Sequence, residues 1–593
     1  MERRISIAAA IALCSGAAWA GGIEWRTIDG SDNNLANPTW GQTDGQLVRI
    51  CPAAYADGVS AMGGDNRANA RFISTAVTDQ PEVVFNNRGL TDWVWQWGQF
   101  LDHDFGLTNS QSSAAFIEVP LGDPIFDPDS LGGQVIPFRR SNFDFDTGTD
   151  PKNPRNQTNT LTAYLDGSVV YGSTADRAAW LRTGVGGRLQ VTSTAVGDLL
   201  PMNDGSQSNS FVGNATGFFV AGDNRSNEQA ALTATHTLLH REHNRVADLI
   251  AANNPGMSDE DIYQRARRIV GAEIQAITYH DWLPALLGAN PLPAYTGYNP
   301  AVNAGISQEF STVAFRFGHT MLSPFLLRLD ENFEVMPSGN IPLRLSFHDG
   351  TMIVSEGIDP IMRGLAYPLM QEIDARVIDD VRNFLFINTP PFHLDLVALN
   401  VQRGRDHGLP DYNSMRAEFG LAPKATFADI TSDPDIQAGL AAGYPDTSDI
   451  DPFIGAIAED HVPGSSVGEL IRVVLIDQFT RLRDGDRFWY ETDADLPGVL
   501  ASAGLDMSWL SSRRLSGVIR ENTGAVEVQN NVFRLPLVGD IDDNGVVAFT
   551  DLNLLLDDYG ANGAGLPGDI DGDGDVDFAD LNLLLGNYGA SYD

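Results

Sequence analysis

Cysteine is scarce in this chain of 593 residues, which contains only Cys14 and Cys51. A disulfide-built scaffold and a metal site made of cysteines alone are therefore excluded. Basic residues are also few, because 38 Lys and Arg stand against 78 Asp and Glu, for a formal net charge of −40. This balance argues against nucleic acid or an anionic membrane surface as a main partner. Beyond the N-terminus no apolar run approaches 18 residues, so we expect no membrane span.

The N-terminus has the pattern of a secretory signal peptide. Two arginines precede an apolar stretch from Ile5 to Ala18, and the segment Ala18-Trp19-Ala20 supplies small residues for cleavage. We predict a signal peptide over residues 1–20 and a secreted, extracellular protein. Its removal leaves Cys51 as a lone thiol.

Helical periodicity dominates the middle of the chain, whereas alternating strand patterns are scarce and short. Ser258 followed by three acidic residues predicts a helix start. Further helices are predicted over Trp93–Phe105, Leu232–Ala252, Gln308–Phe317 and Val467–Asp484. The predicted fold class is therefore mainly α, with one large domain over residues 21–535 and a small one over residues 536–593.

The small C-terminal segment contains an internal repeat. The stretch from Gly539 to Leu556 returns from Gly568 to Leu585, at an offset of 29 residues. Each copy places oxygen-bearing side chains at loop positions 1, 3, 5 and 12 and a Gly at position 6, which suits a calcium ion. The predicted ligands are Asp540, Asp542, Asn544 and Asp551 in the first loop, and Asp569, Asp571, Asp573 and Asp580 in the second.

A Leu-rich helix follows each loop and offers an apolar face to the other copy. The sequence thus predicts a small domain of two EF-hand-like calcium loop–helix repeats. This arrangement resembles a type I dockerin, and the resemblance implies a cohesin-domain protein as a partner that tethers the chain.

Four segments of the large domain carry the polar residues on which its chemistry depends. On a helix, Gln99, Asp102 and His103 share one face, whereas Asp104 points elsewhere. The segments are Trp97-Gly-Gln-Phe-Leu-Asp-His-Asp104, Ala221-Gly-Asp-Asn-Arg-Ser-Asn-Glu228, Phe315-Arg-Phe-Gly-His-Thr320 and Leu399-Asn-Val-Gln-Arg-Gly-Arg-Asp-His-Gly-Leu-Pro410.

In this order the four segments resemble those of the animal-type haem peroxidases of the peroxidase–cyclooxygenase superfamily, over most of residues 25–530. With the repeats added, the chain resembles the bacterial peroxidockerins. The resemblance implies a haem-dependent peroxidase that binds haem b and reduces H2O2. It also implies oxidation of halides, phenols or other small donors through a ferryl haem.

The resemblance also assigns roles on the side of the haem where peroxide binds. His103 matches the distal histidine, Arg225 its arginine partner, and Gln99 a residue beside the bound peroxide or halide. A neutral imidazole can take a proton from H2O2 and return it, while an arginine favours the negative charge that develops during O–O cleavage. Asp102 and Glu228 match two carboxylates that can form ester links to the haem.

On the opposite side, His319 matches the ligand to the haem iron, and Asn400 matches the residue that accepts a hydrogen bond from the free N–H of that ligand. Arg316 and Arg403 match basic residues near the haem propionates. Gln229 stands where myeloperoxidase-like members place a Met bonded to the haem, so a third covalent link is not expected.

A further calcium site is implied by the same resemblance. Asp104 matches one ligand, and the loop of residues 162–168 matches the others. The side chains of Thr162, Asp166 and Ser168 and the carbonyl of Tyr164 would supply the oxygens. This ion would tether the helix that carries His103.

Three alternatives compete with the peroxidase hypothesis. His236, His240 and His243 lie within two helical turns and could hold zinc in a hydrolase. A fatty-acid dioxygenase of the same superfamily would carry a radical Tyr close before His319, where this chain has none. An inactive calcium-binding scaffold is disfavoured because His103, Arg225, His319 and Asn400 are all present.

Overall fold

The computed structural model describes residues 23–110, 112–387, 394–542, 545–563 and 566–591. The predicted signal peptide and the predicted calcium ligand Asn544 lie outside the described residues. Within them, no helix combines the length and the apolar character that crossing a membrane requires.

Helices dominate the large domain, as the periodicity predicts. They are α1 Ala70–Val77, α2 Trp93–Phe105, α3 Ser168–Tyr171, α4 Ala175–Trp180, α5 Ala230–Asn253, α6 Asp259–Ile277, α7 Leu283–Leu287, α8 Gln308–Thr312, α9 Leu343–Ser346, α10 Thr351–Glu356, α11 Asp359–Ala366, α12 Asp379–Arg382, α13 Leu396–Asp406, α14 Tyr412–Glu418, α15 Phe427–Ile430, α16 Pro434–Gly443, α17 Pro452–Ile457, α18 Glu469–Asp484, α19 Leu496–Ser502, α20 Met507–Ser511 and α21 Leu515–Asn522. A π-helical turn spans Thr278–Trp282, and 3-10 helices span Ala314–His319 and Thr447–Asp449.

The strands are short and pair only as antiparallel two-stranded ladders in the described part of the chain. Their registers place Gly45 opposite Asn159, Ile117 opposite Ile136, Thr192 opposite Leu199 and Phe325 opposite Pro342. The strands are β1 Gly45–Gln46, β2 Ile117–Glu118, β3 Val135–Ile136, β4 Thr158–Asn159, β5 Thr192–Thr194, β6 Gly197–Leu199, β7 Phe325–Leu326 and β8 Ile341–Pro342.

The helices α2 and α5 pass through the main hydrophobic core. Trp93, Trp97 and Phe100 of α2 are fully buried, so this face anchors the helix and leaves the opposite face for polar groups. The helix α5 packs against both α2 and α6. Ser258 caps α6 by accepting a hydrogen bond from the backbone N–H of Asp261, which confirms the predicted helix start.

One predicted helix is wrong in its detail. The helix predicted over Gln308–Phe317 ends at Thr312, and the chain continues as the 3-10 helix Ala314–His319. Val313 separates them with non-helical angles, φ −121° and ψ −73°. This break redirects the chain just before His319, and the hydrophobic periodicity alone does not reveal it.

The C-terminal repeats contribute two further helices, α22 Phe549–Asp558 and α23 Phe578–Gly586. Their core consists of Val547, Leu555, Val576 and Leu584, and it forms a hydrophobic cluster separate from that of the large domain. The two copies also exchange backbone hydrogen bonds, because Gly560 N–H donates to the carbonyl of Val576 and Gly589 N–H donates to that of Val547. The boundary at residues 535 and 536 stays a prediction.

Candidate active site

A cavity of about 380 Å³ lies between α2, the start of α5, the 3-10 helix before His319 and α13. This volume falls within the range of small-molecule and cofactor pockets. Eight of the nine residues predicted for the haem site line it, and the ninth, Asn400, lies directly behind His319. The eight lining residues are Gln99, Asp102, His103, Arg225, Glu228, Arg316, His319 and Arg403.

On one wall of the cavity, His103 and Arg225 meet around the buried carboxylate of Asp223. Arg225 donates to Asp223 from Nε at 2.9 Å, from Nη2 at 3.0 Å and from its backbone N–H at 2.8 Å. His103 Nδ1 lies 3.5 Å from Asp223 Oδ1. One carboxylate therefore holds the arginine firmly and stands beside the histidine.

The protonation of this group follows from burial and charge. Burial lowers the pKa of His103 well below its usual value, and Arg225 lowers it further. Burial would raise the pKa of Asp223, but the charge and the hydrogen bonds of Arg225 outweigh it and lower the pKa overall. At neutral pH His103 is neutral and Asp223 ionised, so the imidazole is able to accept a proton.

The two predicted ester-forming carboxylates also lie on this side. Asp102 accepts a hydrogen bond from Arg225 Nη1 at 3.2 Å, and Glu228 Oε2 lies 3.8 Å from His103 Nε2. Burial raises the pKa of Glu228 to about 7, against the lowering influence of Arg225. Burial also raises the pKa of Asp102.

The second wall carries His319 at the end of its 3-10 helix. Asn400 Nδ2 lies 2.7 Å from His319 Nδ1, and Asn400 Oδ1 accepts a hydrogen bond from Arg316 Nη1 at 2.5 Å. The expected contact between His319 Nδ1 and the amide of Asn400 is therefore present, and Arg316 holds that amide in place. Nε2 of His319 is thus the nitrogen left for the cavity.

His319 is suited to bind a metal. Burial, reinforced by the charge of Arg316, lowers the pKa of His319 to about 3, so the imidazole is neutral. Burial and the nearby Arg403 lower the pKa of Arg316 to about 10, which still leaves it charged. Arg403 reaches the cavity edge, where it donates to Asp406, Ser110 and Ser141.

The cavity fits a haem. It offers one neutral histidine nitrogen as a ligand, a second histidine with an arginine, and a lining rich in Phe and Leu side chains. His103 Nδ1 is buried and has no hydrogen-bond partner among the described residues. Two arginines at the margin suit the negative propionates.

The predicted calcium loop of the large domain comes together beside α2. Thr162 Oγ1 donates to Asp166 Oδ2 at 3.1 Å, and Ser168 Oγ donates to the carbonyl of Asp104. Asp104 and Asp166 are 0% and 3% exposed. Burial, then the neighbouring Asp166, raises the pKa of Asp104 to about 8. The hydroxyl of Tyr164 points away to the carbonyl of Trp40, so only its own carbonyl is available.

The repeat loops hold two acidic clusters. One oxygen from each of Asp540, Asp542 and Asp551 lies within 4.8 Å of the others, and the same holds for Asp569, Asp571 and Asp573. The position 6 glycines, Gly545 and Gly574, have φ of 88° and 95°, which is the turn that the loop pattern predicts.

Asp580, the remaining predicted ligand of the second loop, is not in that cluster. Its carboxylate accepts backbone hydrogen bonds from Ile570, Asp571 and Asp577, so it ties the loop to the start of α23. Asp551 makes the equivalent bonds to Ile541 and Asp542 in the first loop.

The three histidines of the zinc alternative do not form a metal site. His240 contacts the carbonyl of Gln190 at 2.8 Å, and His243 contacts the hydroxyl of Tyr171 at 2.9 Å. His236 packs edge-on against Phe100. The acidic groups able to hold a metal, among the residues that the structure describes, lie in the C-terminal loops instead.

The contacts that two residues of this site make escaped the sequence analysis. Asp223 precedes Arg225 by two positions, and this Asp-x-Arg spacing is a local signal for a side chain that binds both the backbone and the guanidinium. Gln229 has no comparable signal, because its partners Gln96 and Gln99 lie on another helix.

A helical domain whose cavity joins a histidine–arginine pair to a second, amide-bound histidine defines a haem-dependent oxidoreductase. The family model for animal haem peroxidase matches residues 25–533. The chain therefore belongs to the animal haem peroxidase family, and it is an enzyme of that family.

Individual relatives agree with this assignment. Peroxinectin A of Dictyostelium discoideum is 38% identical over 484 residues, which is 79% of this chain and 89% of that protein. The mouse Peroxidasin homolog is 37% identical over 562 residues, 86% of this chain but only 37% of that longer protein. The structure of Peroxidase A from Dictyostelium discoideum superposes with a TM-score of 0.81 at 36% identity, over 87% of this chain and 100% of that one.

Proposed function

We propose that the enzyme reduces H2O2 and oxidises small donors such as halides or phenols, with haem b held in the cavity by His319. The observation that carries the proposal is the placement of a neutral His103, an Arg225 fixed by Asp223, and His319 with Asn400 on one cavity. The haem, when bound, supplies the redox chemistry, and the side chains around it bind, orient and move protons.

His103 is the proposed proton carrier. Its neutral imidazole takes a proton from one peroxide oxygen and delivers it to the other, which leaves as water. Arg225 stays charged through the reaction, because burial lowers its pKa less than Asp223 and Asp102 raise it. A fixed positive charge beside the peroxide favours the negative charge that develops as the O–O bond breaks.

His319 is the proposed iron ligand. Asn400 orients its ring through the contact at Nδ1, and Arg316 holds Asn400 by donating to its Oδ1. Asp102 and Glu228 are the proposed sites of ester links, and Arg316 and Arg403 the proposed partners of the propionates. Asp104, the loop of residues 162–168 and a calcium ion would fix the end of α2 just beyond His103.

The C-terminal repeats are the proposed tether. The two copies present matching exposed apolar side chains at the repeat offset, so the small domain offers a duplicated face to a partner. The exposed fractions are 64% and 62% for Phe549 and Phe578, 50% for Leu556 and Leu585, and 47% and 49% for Tyr559 and Tyr588. A cohesin-type partner and two bound calcium ions are proposed here, together with secretion.

The decisive experiment is a spectrum of the haem-loaded full chain followed by titration with H2O2 in the presence of bromide, iodide or a phenol. We expect a Soret band and peroxide-dependent oxidation. His103→Ala should keep the Soret band and lose about 10²–10⁴-fold in peroxide-cleavage rate.

His280→Ala is the matched control, because His280 is exposed and its ring nitrogen Nε2 contacts the hydroxyl of Tyr490. It should retain both the band and the rate. A colourless wild-type protein after loading, or unchanged turnover in His103→Ala, contradicts the proposed function.

A further inference from the structure

A tryptophan lies directly behind the wall of the active-site cavity. Trp282 is fully buried, and its indole N–H donates to the carbonyl of Val94 at 2.8 Å. A Cβ added at Gly98, which lines the cavity, would meet Cζ2 of this indole at 3.4 Å. Phe315 also lines the cavity, and its ring centroid lies 6.1 Å from that of Trp282. An oxidisable indole therefore stands immediately behind two residues of the cavity wall.

Further aromatic rings continue from Trp282 in direct contact with one another. The ring centroid of Phe479 lies 5.8 Å from that of Trp282 and 5.9 Å from that of Tyr279. Trp489 packs edge-on against Tyr279 at 4.6 Å and against Tyr295 at 6.2 Å. These separations are those of packed aromatic pairs. We call the series Trp282, Phe479, Tyr279, Trp489 and Tyr295 the aromatic relay.

The aromatic relay leads from the core to the surface. Trp282 and Trp489 are 0% and 1% exposed, whereas Tyr295 is only half-buried and its hydroxyl lies 2.9 Å from that of the exposed Thr492. A molecule too large for a cavity of about 380 Å³ can therefore reach the outer end. A phenol suits this end, because it is uncharged at neutral pH and is not repelled by the net charge of −40.

The polar partners of the rings show which of them can lose a proton when it is oxidised. The hydroxyl of Tyr279 and the indole N–H of Trp282 both donate to backbone carbonyls, which do not take up a proton. The indole N–H of Trp489 donates instead to the carboxylate of the exposed Glu491 at 3.3 Å. A carboxylate favours a positive charge on the ring and can accept its proton. Trp489 is thus the ring of the relay best suited to lose one electron.

We propose that the aromatic relay carries single electrons from a bulky phenol at Tyr295 to the haem site, so that the enzyme also oxidises donors that cannot enter its cavity. Trp489 gives one electron through the relay to the haem that H2O2 has oxidised, and it gives its indole proton to Glu491. The phenol then gives one electron to Trp489, which recovers its proton from Glu491, while the proton of the phenol passes to solvent. Two phenols lose one electron each for every H2O2 reduced to two waters. The inference rests on the proposed peroxidase function and extends it to a second class of donor.

The first test detects the oxidised tryptophan itself. The haem-loaded full chain, frozen after mixing with equimolar H2O2 and no donor, should give an electron paramagnetic resonance signal whose hyperfine pattern changes with deuterated tryptophan. Trp489→Phe should lose this signal, because a phenyl ring is much harder to oxidise than an indole. Trp509→Phe should keep it. Trp509 is the matched control, since it packs against the same hydrophobic cluster as Trp489 but makes no ring contact with the relay among the described residues.

The second test separates bulky donors from small ones. Tyramine coupled to a large dextran serves as the bulky phenol, and iodide serves as the donor that enters the cavity. Trp489→Phe should oxidise the dextran-bound phenol at least about tenfold more slowly, while its rate with iodide stays within about twofold of wild type. Trp509→Phe should match the wild type with both donors.

Tyr295 provides a second pair of variants, which decides the question if Trp489→Phe fails to fold and bind haem. Tyr295→Ala removes the outer ring, so it should slow oxidation of the dextran-bound phenol about threefold or more. It should keep the tryptophan signal, because Trp489 is intact. Tyr298→Ala is the matched control. Tyr298 is also half-buried, lies in the same loop and makes no ring contact with the relay among the described residues.

The absence of a tryptophan signal in the wild type overturns the inference, as does a signal that survives in Trp489→Phe. Equal rates with the dextran-bound phenol in Trp489→Phe and Trp509→Phe, or in Tyr295→Ala and Tyr298→Ala, also overturn it. So does a wild type that oxidises iodide but not the dextran-bound phenol. Failure of the proposed function looks different, because the wild type would then lack the Soret band or fail to oxidise every small donor.

Discussion

The active-site cavity and the C-terminal repeats handle negative charge in opposite ways. In the cavity, the buried carboxylate of Asp223 accepts three hydrogen bonds from Arg225. In the repeats, residues 536–593 contain no Lys, Arg or His, although two acidic clusters stand on the loops. There the neighbouring Asp573 raises the pKa of Asp575. The first region neutralises its charge within the chain, whereas the second has no basic residue with which to do so.

The large domain and the repeats therefore differ in what they need in order to fold. The large domain has an extensive core and internal ion pairs, so its architecture is complete without an ion in the repeats. The repeats have four buried apolar residues and a concentration of like charges, which is too little core for a stable unit. Cations on the loops would supply the missing stability.

The largest effect is expected when the internal charge compensation of the cavity is broken. Asp223→Ala leaves the largely buried guanidinium of Arg225, among the described residues, with Asp102 and the carbonyl of Gly106 as its remaining partners. We expect a loss of about 3–5 kcal/mol in the free energy of unfolding. Peroxide cleavage should fall by about 10²-fold or more, because both His103 and Arg225 lose their common support.

The matched substitution in the other region is Asp573→Ala, which removes an exposed carboxylate. It should leave both the unfolding free energy of the large domain and the peroxide-cleavage rate unchanged. Urea unfolding and stopped-flow Soret measurements give the two quantities. If Asp223→Ala and Asp573→Ala lowered the unfolding free energy and the peroxide-cleavage rate by similar amounts, the two regions would not differ in how they handle negative charge.

Calcium withdrawal should produce the next largest effect, and only in the repeats at first. With a chelator, hydrogen exchange of the full chain should show α22 and α23 losing protection, while α2 and α5 keep theirs. The loop around Asp104 is buried and should lose its ion more slowly than the exposed loops. Added calcium should restore protection.

Exchange that stays slow in α22 and α23 without calcium would mean that the repeats fold on their apolar core alone. Asp569→Ala offers an independent check, since it removes a member of the second cluster and leaves the first untouched. It should weaken calcium binding in the second loop only, by about tenfold or more.

Acid should destabilise the two regions at different pH. Burial lowers the pKa of His236 to about 3 and that of His240 to about 4. An unfolded chain binds these protons below pH 6.5, whereas the folded chain does not, so stability of the large domain should fall as pH drops from about 6.5 toward 4. The repeats have no histidine and should hold until their carboxylates protonate, near pH 4.

Calorimetry with calcium present, at several pH values between 7 and 4, would resolve the two transitions. His236→Phe should flatten the slope of the large-domain transition, because it replaces a buried ring that has no hydrogen-bond partner among the described residues. The peroxide-cleavage rate should not drop near pH 6.5, since His103 stays neutral well below that value. This prediction would be contradicted if the large domain and the repeats lost stability together over the same pH range.

The sequence predicts the site well where the signal is local. The shared helix face of Gln99, Asp102 and His103 follows from helical spacing, and the bounds of α2 are confirmed. The course of the chain before His319 is not predictable in this way, because the change to a 3-10 helix at Val313 depends on tertiary packing.

The contacts of Asp223 and Gln229 span still longer stretches of the chain. Asp223 stands beside His103, which lies 120 positions earlier in the chain, and Gln229 bonds to Gln96 across 133 positions. Neither relation leaves a periodic or spacing pattern in the sequence. The contacts of a single polar residue beside a matched motif become clear only when the fold shows which residues it faces.

The smallest effect concerns the turn geometry on which the repeat loops depend. Gly574 has φ of 95°, and a Cβ added there would meet no atom within 4 Å, so Gly574→Ala tests the backbone conformation alone. An L-residue with a positive φ costs about 1–2 kcal/mol, and we expect calcium binding in the second loop to weaken accordingly.

Gly586→Ala is the control. Gly586 lies at the exposed end of α23, has no positive φ, and a Cβ added there also meets no atom within 4 Å. It should be neutral or slightly stabilising. Calorimetric titration of calcium measures both, and equal affinities would show that the second loop does not bind its ion through the turn seen at Gly574.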